Sequence, residues 1–149
     1  MASAKTRTIA LWALSVLLAA VYLMSGFAKL QNGATQSGLP SWDAQFEKWS
    51  LPAWFRLVVG PLEMAGAVGL LVPALRPYAA TGLLLLMVGA VPTHIHAGEA
   101  AMAVVPAVLG LLDATVAWMS RPAWFADRFA DRLAAGSRTE TPESSARSE

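Results

Sequence analysis

Eight side chains in this sequence could do chemistry in a setting otherwise short of it: Lys29, Arg56, Glu63, Thr93, His94, His96, Glu99 and Asp113. Lys29 and Arg56 can donate to a carbonyl or a carboxylate. Glu63 and Asp113 can hold a proton or a cation. His94, His96 and Glu99 form a His-x-His-x-x-Glu run that could chelate a metal ion if Pro92 unwinds the chain there. On a regular helix, however, His94 and His96 point about 160° apart. His96 aligns with Thr93, Gly89 and Gly82, a small face expected to look inward. Three ligands without a carboxylate cluster are a poor metal set, and a bis-histidine haem needs imidazoles on opposite sides of one iron. No nucleophile triad, Gly-rich phosphate loop or paired catalytic carboxylates can be assembled. No catalytic residue is assigned, and the chain is not expected to be catalytic alone.

The elements that must position these residues are read from hydropathy. Hydrophobic residues make up 56% of the 149 and charged residues 14%, against roughly 25% charged in an ordinary soluble domain. Only nine Asp, Glu, Lys or Arg fall between Thr8 and Ser120; the other twelve lie in the first seven and last 29 positions. The long middle is not a water-facing surface. The same arithmetic excludes a disordered chain. A net charge of +1 offers no footprint for nucleic acid. The absence of cysteine removes disulfides, thiol redox chemistry and iron–sulfur ligation by this chain.

Four segments are long and apolar enough to cross about 30 Å of hydrocarbon: about 8–30, 53–72, 77–96 and 100–119. The first is too long for a signal-peptide core and is read as a retained helix. The expectation is an all-α, four-helix transmembrane bundle with short interfacial amphipathic helices. Six cations (Lys5, Arg7, Arg76, Arg121, Arg128, Arg132) lie at one end, against Lys29, Lys48 and Arg56 at the other. That bias places both termini in the cytoplasm. Trp12, Trp118 and Trp124 then fall at the inner interface, and Trp42, Trp49 and Trp54 at the outer one, as aromatic belts do.

Between the first two spans, turn signals at Asn32-Gly33 and Ser37-Gly38-Leu39-Pro40 precede Trp42, Phe46 and Trp49 at helical spacing. This predicts a short amphipathic helix that caps the bundle or lies in the interface. Phe125, Phe129 and Leu133 predict a second one over about 121–135. A polar tail over 136–149 is expected to be disordered.

An ionisable group near the middle of a span costs about 2.5–3.5 kcal/mol on insertion scales, so each needs a partner or a purpose. Glu63 lies near mid-depth on a face with Arg56, Gly60, Gly66, Ala67 and Leu70. Small residues of this kind let helices approach closely, so Glu63 faces protein. Arg56, two turns outward, could reach down and pair with it, directly or through a water; a lone Glu63 held neutral by desolvation is the competing state. Asp113 shares its face with Pro106, Gly110 and Ala117 and sits roughly 5 Å from the depth of Glu63. The two acids form either a polar thread or two separate interhelix clamps.

Four pieces carry a likeness: Ser25-Gly26-Phe27-Ala28-Lys29-Leu30, Trp49-Ser50-Leu51-Pro52, Gly60-Pro61-Leu62-Glu63-Met64-Ala65-Gly66, and Met87-Val88-Gly89-Ala90-Val91-Pro92-Thr93-His94. In this order and spacing the chain resembles the DoxX-like family of small four-helix bacterial membrane proteins. The resemblance points to a place in a bacterial cytoplasmic membrane. It also marks Lys29, Glu63, Thr93 and His94, rather than His96, as the matched polar positions.

Three roles follow as expectations. The first is an accessory, quinone-linked subunit of a membrane oxidoreductase system. In it Lys29, Arg56, Glu63 and His94 or His96 line a pocket near the outer leaflet, and quinone is the one cofactor anticipated. The second is a non-enzymatic assembly or scaffold factor, whose partners are the lipid bilayer and other membrane proteins or further copies of itself. The third is a small-molecule or metal carrier that works through the Glu63–Asp113 thread.

Overall fold

The computed structural model describes residues 4–31 and 40–121. The turn signals of residues 32–39, the amphipathic segment expected beyond Arg121 and the tail at 136–149 lie outside the described residues. Five α-helices run in order: α1 (Ala4–Gln31), α2 (Trp42–Lys48), α3 (Arg56–Leu71), α4 (Arg76–His96) and α5 (Val104–Ser120). A single 3₁₀ turn, Ala53–Phe55, leads into α3. Among the described residues there is no strand.

Among the described residues, three stretches are long and apolar enough to cross a membrane: Ala4–Gln31, Ala53–Leu71 and Arg76–His96. The fourth, α5, is apolar but has 17 residues, the short end of the spanning range. It starts at Val104, after turns over residues 100–103. The Glu99 carbonyl accepts the N–H of both Met102 and Ala103, which tightens this stretch into turns. Pro106, which has no N–H, then sits in the first turn of α5, where none is needed.

The exterior is apolar. Met24 is 74% exposed and Leu111 70%, values that suit hydrocarbon rather than water. Hydroxyls on α4 and α5 are satisfied within their own helices: Thr81 donates to the Pro77 carbonyl at 2.8 Å and Thr115 to the Leu111 carbonyl at 2.8 Å. Such internal pairing is what a lipid-facing side chain requires.

The core is built from one stripe of each long helix. Leu18, Ala19 and Tyr22 of α1 meet Ala67 and Leu70 of α3, Ala80, Leu83 and Met87 of α4, and Val116 of α5. Helix α1 packs chiefly on α3, and α4 on α5; α3 and α4 join the two pairs. Helices α1 and α3 approach to backbone contact. A Cβ on Gly26 would stand 2.5 Å from the Gly60 carbonyl oxygen, and one on Gly60 would stand 2.9 Å from the Gly26 carbonyl oxygen. The backbones touch there, in the manner of small-residue membrane crossings. Two other glycines behave oppositely. A Cβ added at Gly82 or Gly89 would meet nothing within 4 Å. Both face outward, because α4 turns its Ala80, Leu83 and Met87 side to the core.

This difference is testable. Gly26→Leu should destabilise the protein by about 2 kcal/mol or more, the upper part of the overpacking range of roughly 1–3 kcal/mol. Gly82→Ala should change stability by less than about 0.5 kcal/mol. Thermal melting of the purified variants in one detergent compares them; equal melting temperatures would disprove the crossing.

Candidate functional site

The Gly26–Gly60 crossing determines which polar groups meet. Lys29 follows Gly26 by three residues on α1, and Glu63 follows Gly60 by three residues on α3, so both side chains flank the crossing. Lys29 Nζ lies 2.8 Å from Glu63 Oε2 and 3.1 Å from Oε1. Lys29 is 6% exposed and Glu63 4%. The ammonium also donates to Ser25 Oγ at 2.6 Å and lies 4.6 Å from the centre of the Trp42 ring. This pair replaces the expected Arg56–Glu63 bridge. Lysine wins because it arises one turn beyond the crossing on the facing helix. Arg56 begins α3 and is turned the other way. Its guanidinium donates to Asp43 of α2, to the Lys29 carbonyl at 2.7 Å and to the Leu30 carbonyl at 3.3 Å. It holds α2 and the C-terminal end of α1 together.

Asp113 is fully buried and accepts the hydroxyl hydrogen of Tyr22. Tyr22 lies one turn before Gly26 on the same stripe of α1. The bond joins α1 to α5, two helices that otherwise touch sparingly. Glu63 and Asp113 therefore pair with different partners, as two clamps. Tyr22 was legible in principle: it is one of two tyrosines, it shares the Lys29 face, and a hydroxyl inside a span needs a partner.

Above the Lys29–Glu63 pair lies α2. Its first turn is capped by Ser41, whose Oγ accepts the Ala44 N–H at 3.3 Å. Its end is a Schellman turn: Leu51 N–H bonds the Phe46 carbonyl and Ser50 N–H bonds the Glu47 carbonyl, both at 2.9 Å. Ser50 occupies the left-handed position at φ 60. Phe46, 2% exposed, packs against Trp49 and Phe55. The expected amphipathic helix is thus present and caps the bundle. Trp42 and Trp49 do not form an interfacial belt with exposed Trp54. They turn inward, over Lys29 and His94 respectively.

Helix α4 also ends in a Schellman turn, with Glu99 N–H bonded to the His94 carbonyl at 2.9 Å, Gly98 N–H to the Ile95 carbonyl at 3.1 Å, and Gly98 at φ 76. That motif brings the residue after the turn back over the last helical turn. It sets Glu99 beside His94, whose Nδ1 is 3.3 Å from Glu99 Oε2. The Glu99 carboxylate also accepts from Lys48, from Trp49 Nε1 at 2.9 Å, and from Gln45 Nε2 at 3.3 Å. Lys48 first, then Trp49, Gln45 and His94, hold this carboxyl down at about 2, against a smaller opposing effect of burial. One carboxylate so ties α2 to the α4–α5 turn.

The inward histidine is therefore His94, and His96 is exposed. This corrects the expected facing, which took the small stripe of Gly82 and Gly89 to look inward when it looks outward. It also separates the His94, His96 and Glu99 set. Only His94 and Glu99 touch, and among the described residues no three His, Asp or Glu side chains are gathered for a metal ion. Thr93 turns its hydroxyl to the Gly89 carbonyl at 2.7 Å.

Tyr22 and Ser25 share the Lys29 face in the sequence, which assigns them no partner; the site residues not foreseen are Trp42, Asp43, Gln45, Lys48 and Trp49. Arg76 belongs with them. Its guanidinium is buried, donates from Nε to the Leu70 carbonyl at 2.8 Å and stacks 4.1 Å from the Trp12 ring. A groove of about 510 Å³ runs between α3 and α4 past Gly66, Gly69 and Gly82. It is apolar and does not reach Lys29 or Glu63.

Comparison with protein families finds that the model of the DoxX-like family matches residues 13–117. Searches of curated proteins and of solved structures find no match.

Two measurements check the site. Lys29→Met and Glu63→Leu should each destabilise by about 3–5 kcal/mol, because each strands a buried charge, whereas the double variant should recover most of the loss. Additive losses in thermal melts would refute the pairing. The Glu99 carboxyl lies below its ordinary 4.5, so its stabilisation is complete above that pH and fades as pH falls towards about 2. Hydrogen exchange over residues 42–49, corrected for the intrinsic effect of pH, should show the same protection at pH 7 and pH 5. It should quicken in Glu99→Gln; equal exchange in that variant would remove the latch.

Proposed function

The chain belongs to the DoxX-like family and is an integral membrane protein, and on that premise we propose that it is a non-catalytic accessory subunit that binds other membrane proteins. One observation carries the reading: each acid inside the bundle, Glu63 and Asp113, has a partner within the chain itself. Lys29 neutralises Glu63, and Tyr22 donates to Oδ2 of Asp113, whose Oδ1 is buried without a partner. The mouth above them is closed by α2. A site built to hold a substrate keeps convergent polar groups open beside an apolar slot. This bundle offers its neighbours a rigid, largely apolar exterior instead. The family resemblance and the cation bias support a bacterial cytoplasmic membrane with both termini inside.

A second reading, a quinone-linked subunit of an oxidoreductase system, is favoured by one detail. The indole N–H of Trp42 is buried without an acceptor and its ring faces the Lys29 ammonium. A ring carbonyl admitted by movement of α2 would find two donors there. The electron chemistry would belong to the quinone and to a partner.

Crosslinking of the tagged chain in its native membrane, followed by identification of the adducts, separates the two. The first reading expects one or a few proteins recovered reproducibly in stoichiometric amounts. Recovery of abundant bystanders alone would overturn it. The second expects purified protein to retain quinone and to lose it in Trp42→Phe; no quinone in the wild type would overturn that.

A further inference from the structure

The two ends of the bundle treat their cations differently. At the mouth, Lys29 pairs with Glu63, Lys48 with Glu99 and Arg56 with Asp43. At the other end, where α1 begins, Lys5, Arg7, Arg76 and Arg121 gather, and among the described residues no carboxylate pairs with them. Arg7 instead donates to the Met119 carbonyl at 3.2 Å. Arg121 stacks 3.7 Å from the Trp118 ring. Arg76 is the extreme case. It is 3% exposed, it has no counter-ion among the described residues, and its Nη2 is buried without any acceptor. Buried charges are ordinarily paired. The indole ring and the Leu70 carbonyl, at the negative end of α3, compensate only part of this one.

We propose that this end of the bundle seats the phosphate headgroups of anionic phospholipids, with Arg76 as its innermost member. Three features agree. The level is right: Trp12 and Trp118 stand beside the arginines, and indoles mark the depth of headgroups. The chemistry is right: guanidinium groups bind phosphate oxygens through paired N–H donors. The access needs only a local shift: residues 72–75, the turn that leads into Arg76, are exposed, and their displacement would open the buried Nη2 to a headgroup. A lipid with net negative charge fits better than a zwitterionic one, because the described charge at this end is wholly positive. The site does not depend on which functional reading above is correct.

The test uses the full chain in detergent. Native mass spectrometry counts retained lipid, and thermal melting follows titration with phosphatidylglycerol, phosphatidylcholine or inorganic phosphate. Phosphatidylglycerol alone should bind and raise the melting temperature. Arg76→Gln, which keeps a donor for the Leu70 carbonyl, should weaken that binding about fivefold, from about 1 kcal/mol per cation at a membrane surface. If that variant does not fold, Arg7→Gln/Arg121→Gln supplies the same measurement, and Lys48→Gln at the mouth should bind normally. Equal stabilisation by phosphatidylcholine would overturn the proposal by reducing the effect to bulk lipid. An equal effect of inorganic phosphate would overturn it in favour of a site for free anions. Unchanged affinity in the arginine variants would also overturn it, as would tighter binding in Asp127→Asn/Asp131→Asn, which would make the chain's own acids the natural occupants.

Discussion

The contact between the Gly26 and Gly60 backbones is the constraint from which most of the bundle follows. It brings α1 and α3 closer than any side chain would allow. At that distance Lys29 and Glu63 reach one another beside the crossing, away from lipid. Burying two charges is expensive, and the attraction offsets it only when the geometry is good and the remaining donors are satisfied. Ser25 and the Trp42 ring complete that requirement. The pair is best understood as a device that fixes register. A one-turn slip of α1 along α3 would leave an ammonium and a carboxylate unpaired in hydrocarbon.

The same logic runs through the other polar contacts. Tyr22 and Asp113 hold α1 to α5, which have little other contact. Arg56 and Glu99 secure α2, a helix of seven residues that would not persist alone. The mouth thus closes through charged groups near water, while the middle of the bundle closes through single clamps. Among the described residues, the end where α1 begins carries cations with carbonyl or indole partners.

Much of this was legible in the residues. Small residues beside Glu63 identified a protein-facing acid. Trp42, Phe46 and Trp49 at helical spacing identified α2. Periodicity took His96 to face the bundle, whereas His94, the position that the DoxX-like resemblance matches, is the one turned inward. Periodicity failed there because it ranks faces by size alone. Small residues favour membrane helix interfaces, but lipid does not penalise an apolar surface, so a face of glycines such as Gly82 and Gly89 can also look outward. The partner of Glu63 was also misread, because sequence places Arg56 on the Glu63 face of its own helix but carries no information about which residue the facing helix presents.

The sequence by itself determined what must be buried in the bilayer and what must be paired. The shortage of charge and four apolar stretches require a membrane bundle, and hydrocarbon leaves no ionisable group inside it without a need for a partner. Only the tertiary structure decided the partners. Side-chain pairing depends on where two helices cross and how each is rotated. Those are set by the packing of Gly26 on Gly60 and by the Schellman turn that carries Glu99 back to His94, not by spacing along any one helix.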